Sequence, residues 1–271
     1  MRHDHPPWQD VAWREAVVRG AQGRYDESWS LLEERGLEDC AALSLHASHL
    51  RQLGEYAEAC AQDERAVLCA VDAEQRADAL IGLAADMLGL GDLDTCRELL
   101  HRARSEADSH WRTRTRLAWV NAELSLAQGV PAKARSHADD AVASCRGKSA
   151  RHLAKSQIVR GAVLFAMGAE HATGVSVGSA EPPRLATGVA DLAAGSDAAL
   201  EGALATLLWP AALIALDAVP AAGAASERAL ARIADRGPAA VAFIAHHLPG
   251  PLASRWQARP DVARLVPVLP R

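Results

Sequence analysis

Twice the chain spells Gly-x-Tyr-x-Glu followed by a small residue, at Gly23-Arg24-Tyr25-Asp26-Glu27-Ser28 and Gly54-Glu55-Tyr56-Ala57-Glu58-Ala59, and its only two tyrosines hold the same place in both. A third copy, Gly91-Asp92-Leu93-Asp94-Thr95-Cys96, puts Leu where the ring stood, and a fourth, Gly129-Val130-Pro131-Ala132-Lys133-Ala134, keeps only its ends. Seven residues before these glycines stand Ala16, Ala47, Ala84 and Ala122, and Gly161 bears the same relation to a fifth candidate turn at Gly168. Twelve residues after three of them come Ala66, Ala103 and Ala141, with Arg35 breaking the rule in the first copy. A helical hairpin needs this pattern: a small residue where two helices cross closely, a glycine ending the first helix, and another small residue making room for the second.

Composition agrees. Apolar residues make up 49% of 271 positions but include only 2 Phe and 2 Tyr, so the core must be built from Ala, Leu and Val in closely spaced helical layers.

The pattern resembles the tetratricopeptide repeat family, which carries Gly-x-Tyr-x-Glu-Ala at the turn and small residues at the helix crossings. The resemblance covers Trp13 to Ala141 best. It implies an all-α solenoid of helical hairpins wound as a right-handed superhelix. The turn glycines are 31, 37, 38 and 39 residues apart, against roughly 34 in the ideal repeat, so longer linkers are expected. Loose, Ala- and Arg-rich arrays of this kind are similar to the sensor regions of large bacterial transcription regulators of the LuxR and SARP types.

Residues 1–168 are read as the repeats and 169–184, which contain Gly174 to Pro183, as a loop inserted in the fifth hairpin. Residues 185–271 are read as further hairpins and a cap continuous with the array. Leu185 to Ala194 would complete the fifth hairpin, and Asp197 to Leu216, kinked or divided by Pro210, would pair with Ala222 to Ala234. Short helices over 239–248, 252–258 and 261–266 would cover the open end, as solubility requires.

The net charge of -5 argues against nucleic acid as a partner, and Arg112, Arg114 and Arg116 read as a solvated helix start. The longest uncharged run, Gly202 to Leu216, is too short to span a bilayer. No apolar segment follows Arg2, and the five cysteines (Cys40, Cys60, Cys69, Cys96, Cys145) lack C-x-x-C spacing, so a cytoplasmic protein with reduced thiols is expected.

No catalytic set, cofactor or metal is expected. Gly147-Lys148-Ser149 ends like a phosphate-binding loop, but Val142 stands where the opening glycine belongs. His46 and His49 lie one helical turn apart without a third ligand, and adjacent His246 and His247 diverge on a helix. Met1-Arg2-His3 could wrap a square-planar metal, a pattern that also arises by accident. Asp139 and Asp140 beside His137 imply no nucleophile.

By the resemblance, the first helix of each hairpin lines a concave groove, with Trp13, Val17, Ser44, Ser48, Ile81, Ala85, Trp119, Glu123, Ile158 and Ala162 on it. Arg51, Leu88, Leu126 and Phe165 follow one turn later. The groove lacks the Lys and Asn of a carboxylate clamp. It is apolar, holds Trp, has Arg51 and Glu123 as isolated charges, and suits a protein or peptide partner such as an amphipathic helix. The expected function is a protein-binding adaptor or regulatory scaffold. The alternatives are a ligand- or signal-peptide-sensing module and, less favoured, an enzyme with a 169–184 lid carrying His171 and Glu181. Exposed apolar ends leave room for a homo-oligomer.

Overall fold

The computed structural model describes residues 10–35, 39–107, 110–172 and 183–266, and every regular element among them is helical. Four helix pairs follow the repeat: α1 (Val11–Gln22) with α2 (Tyr25–Arg35), α3 (Cys40–Leu53) with α4 (Tyr56–Cys69), α5 (Ala73–Leu90) with α6 (Leu93–Ala107), and α7 (Trp111–Ala127) with α8 (Pro131–Cys145). Then come α9 (Ala150–Ala172), α10 (Pro183–Glu201), α11 (Ala205–Ala218), a 3-10 turn at Val219–Ala221 and α12 (Ala224–Ala234). The tail holds α13 (Gly237–His246), α14 (Gly250–Gln257) and α15 (Pro260–Ala263).

The four repeat turns have one geometry. Gly23, Gly54, Gly91 and Gly129 are left-handed, with φ between 70° and 87°. In each, the glycine N–H donates to the carbonyl three residues back and the next N–H to the carbonyl five back, as in Gly54 to Arg51 and Glu55 to Leu50, both 3.0 Å. This cap meets two orphan carbonyls and reverses the chain. Asp10, Asp39 and Asp72 cap the starts of α1, α3 and α5, accepting from Trp13, Ala41 and Gln75 backbone N–H groups at 2.9, 2.7 and 2.8 Å.

The small residues sit at the crossings. Ala16, Ala47, Ala84, Ala122, Ala66, Ala103 and Ala141 all have 0% exposure. Ala84→Leu is therefore expected to overpack α5 by about 1–3 kcal/mol and lower the melting temperature. An unchanged melting temperature would refute the repeat alignment.

The fifth turn is not where the pattern placed it. α9 runs through Gly168 to Ala172, and Gly168 is not among the glycines of positive φ. The close crossing at Gly161 does exist: a Cβ added there would lie 3.0 Å from the carbonyl oxygen of Gly188 on α10. The loop expected over 169–184 is thus helical at both edges, at residues 169–172 and from Pro183, and its residues 173–182 lie outside the described residues. The next break also moves. α10 extends to Glu201, and Ala203, at φ 53°, makes the same cap as the repeat glycines, with Ala203 N–H on Leu200 and Leu204 N–H on Ala199. Pro210 does not divide the helix but is accommodated inside α11.

The chain forms two units, residues 1–120 with 244–256 and residues 121–243 with 257–271. In the first, the tail meets the turn edge of the first two hairpins: Asp26 N–H donates to the His247 carbonyl at 3.2 Å and Arg255 pairs with Glu55 at 3.0 Å. In the second, Ile158, Val189, Leu192, Ala211, Ala215, Leu230 and Ile233 form the core shared by α9 to α12. None of the described helices is long and apolar enough to cross a membrane.

Candidate functional site

In the first unit, α1 contacts α3 and α3 contacts α5, so the first helices of three hairpins stand side by side. On them Trp13, Val17, Ser44, Ser48, Ala85 and Leu88 remain half-buried and within reach of solvent. Trp13 is anchored by its indole N–H, which donates to the Ala41 carbonyl at 3.4 Å. Ile81 and Trp119, also expected on this surface, are 1% and 7% exposed and serve as core. In the second unit Glu123, Leu126, Ala162 and Phe165 are half-buried, whereas Ile158 is 5% exposed within the core that Phe165 flanks. The groove assignment is corrected for these three buried residues: a first helix flanked on both sides turns a wider face inward than the pattern allows for.

Arg51 is not an isolated charge. Its Nε donates to Asp86 Oδ1 at 2.6 Å and its Nη2 to Asp63 Oδ2, so one guanidinium joins α3, α4 and α5. Nor are Arg112 and Arg116 solvated, since both reach from α7 to Asp78 on α5. Of that basic stretch only Arg114 is exposed. Burial pushes the Asp78 carboxyl up, but the two guanidiniums overcome this and hold it down at about 2. In the second unit Arg160 makes a two-pronged pair with Asp191, at 2.8 and 2.6 Å, and reaches Asp139 at 3.3 Å.

A cavity of about 210 Å³ opens between α2 and α3, lined by Trp29, Leu32 and Glu33 from one helix and His46 and Leu50 from the other. Trp29, Leu32 and Glu33 share a face by their i, i+3, i+4 spacing, as do His46 and Leu50 by i, i+4. His46 lies two residues from both Ser44 and Ser48, which places the cavity on the opposite side of α3 from the first-helix surface. The Trp29 and His46 rings meet edge to face with centroids 6.0 Å apart. Burial lowers the His46 pKa against the opposing pull of Glu33, so the ring is neutral at neutral pH. Trp29 Nε1 and His46 Nδ1 are both buried without a hydrogen-bond partner among the described residues. His49 points elsewhere, packing on Tyr25 at 5.1 Å beneath Gly20, so the two histidines share an aromatic cluster and not a ligand.

Several of the other chemical candidates are engaged in local contacts. At Gly147-Lys148-Ser149, Gly147 is left-handed, the next two N–H groups return to the Cys145 carbonyl, and Ser149 caps α9 through His152. These amides close a turn and cradle no phosphate. Asp26, Glu27 and His247 place ligand atoms within 4.8 Å of one another. Glu27 is already matched by Arg19 and Arg24, and Asp26 by His247 at 3.0 Å, so the group fastens the tail to α2. Burial raises the thiols of Cys40, Cys60, Cys69 and Cys145, Cys60 to about 11, and none of them is a thiolate at neutral pH. Met1-Arg2-His3 and Glu181 lie outside the described residues, as does the side chain of His171. No model of a known protein family matches the chain, and no characterised protein aligns with it significantly.

Proposed function

We propose that the chain is a binding scaffold whose α1–α3–α5 surface takes a peptide or amphipathic helix of a protein partner, and that it carries out no reaction of its own. The observation that supports this reading is the alignment of half-buried Trp13, Val17, Ser48, Ala85 and Leu88 along three adjacent helices. Such a strip offers apolar contact at helical spacing to a second helix. The test is capture from native cell extract by intact protein and by a Val17→Arg, Ser48→Arg, Leu88→Arg variant with unchanged circular dichroism. One partner retained by the intact protein and lost by the variant is expected. The same proteins captured by both would sink the surface assignment.

The cavity between α2 and α3 favours a second reading, a module sensing a small ligand or signal peptide in a bacterial regulatory system. Its volume suits one aromatic ring or branched aliphatic group, since an apolar cavity of about 150 Å³ already admits benzene. A Leu50→Trp change that fills the cavity without altering partner capture would separate the two readings.

A further inference from the structure

Arg51 cannot neutralise both acids that it joins. Asp63 and Asp86 are 1% and 0% exposed, and Arg51 supplies one positive charge to the two of them. Gly82 makes this approach feasible, because a Cβ there would stand 2.8 Å from Asp63 Cγ. Each acid also keeps one buried oxygen, Asp63 Oδ1 and Asp86 Oδ2, that accepts from no N–H or O–H group among the described residues. The two carboxyl groups lie within hydrogen-bonding reach of each other. If both were ionised, two buried carboxylates would stand against each other on one guanidinium with two orphaned acceptors, a combination that folded proteins avoid.

One proton resolves both difficulties. We infer that Asp63 and Asp86 share a single proton in the folded protein at neutral pH, which makes the pair a buried proton-binding site that fastens α4 to α5 beneath Arg51. The protonated carboxyl donates its O–H to the neighbouring carboxylate, and the remaining negative charge balances the guanidinium. The other charged or titratable groups facing the pair are Arg116 from α7, Asp78 from α5 and Cys60 from α4. Arg116 favours the charged form of both acids, but its hydrogen bonds go to Asp78, so it gives neither orphaned oxygen a donor, and the Cys60 thiol is neutral. Burial is the largest influence on both acids and raises them, while Arg51 opposes it.

The linkage follows from this. The folded state keeps a proton that the unfolded chain gives up at the ordinary carboxylate value. The stabilisation is complete below that value and is lost as pH rises through the folded pair's own titration, when the proton leaves to solvent. Asp63→Asn copies the protonated acid, since its amide oxygen accepts from Arg51 and its amide NH₂ donates to Asp86.

Infrared spectra of the full chain in ²H₂O at neutral pH should show the C=O stretch of a protonated, buried carboxyl that is missing from Asp63→Asn. Wild type should take up about one proton more on folding than the variant. Its melting temperature should fall on the alkaline side while that of Asp63→Asn stays level. No protonated-carboxyl band in the wild type would overturn the inference, and this reading needs no variant to fold. A band that persists in Asp63→Asn but vanishes in Asp86→Asn would move the proton to Asp86. A band in both variants would place it elsewhere and overturn the site. None of these outcomes depends on the proposed binding function.

Discussion

Gly195→Leu should cost the second unit at least about 3 kcal/mol and remove the native pairing of α9 with α10. Even the first added carbon has nowhere to go. A Cβ on Gly195 would stand 2.7 Å from the Ala154 carbonyl oxygen, 2.8 Å from Ile158 Cγ1 and 3.1 Å from the Ile158 nitrogen. Two of these three neighbours are backbone of α9 and move only if the helices separate. Gly161 and Gly188 make the same close approach farther along, each within 3.0–3.4 Å of the opposite helix. Separating the helices would also open the core in which Ile158 packs with Leu192, Ala211 and Leu230. Gly168 supplies the internal control, because it too lies in α9, at ordinary φ, and a Cβ there meets none of the described residues within 4 Å. Gly168→Ala should therefore stabilise the protein by about 0.5–1 kcal/mol, the usual helical gain. Calorimetry of both variants decides the matter: if Gly195→Leu melts with wild type, the α9–α10 approach described here is wrong.

That contrast also marks what was legible in the sequence. Gly54 and Gly91 could be placed because a left-handed cap and a small crossing residue are local requirements that leave local marks. Gly168 carries the same letters but keeps a helical φ, and Ala203 makes the same cap with no glycine to announce it. The identity of one residue does not report φ when tertiary packing selects it. The first-helix surface was readable where helices keep an outer side, as at Val17 and Leu88, and misread at Ile81, Trp119 and Ile158, where neighbouring elements cover that side. The α2–α3 cavity left no signal, since Trp29 and His46 are 17 residues apart on helices whose packing the pattern does not specify. The buried ion pairs did leave one. Asp63 lies on the stripe of Ala59 and Ala66, and Asp86 on that of Ala79 and Gly82, so each acid occupies an apolar register and announces a partner. Which arginine would answer, 12 or 35 residues away, only the fold reveals.

Asp78→Asn should destabilise the first unit by about 3 kcal/mol, the lower end of what removing one partner of a buried pair costs. Asp78 inverts the arithmetic of Asp63 and Asp86: here one carboxylate answers two guanidiniums. Arg112 meets Oδ2 at 3.0 Å and Arg116 meets Oδ1, so both oxygens are used and both arginines draw on the same charge. The amide keeps the shape and still accepts from one arginine, but it removes the charge and turns an NH₂ group toward the other. The side chains of Arg112 and Arg116 are 29% and 17% exposed, so water recovers part of the loss and the cost stays near the lower bound. The pH dependence carries the opposite sign to that of the proton-sharing pair. Because the Asp78 carboxyl is held down at about 2, its stabilisation is complete above the ordinary carboxylate value and is lost as pH falls through the folded value. The stability gap between wild type and Asp78→Asn should thus stay constant through the alkaline range, where Asp63→Asn departs from wild type, and should narrow only in strong acid. Chemical denaturation of the two variants across pH measures both gaps at once. If the Asp78→Asn gap instead widens with rising pH, or is absent at neutral pH, then Arg112 and Arg116 are held by water and α7 is not tied to α5 by charge.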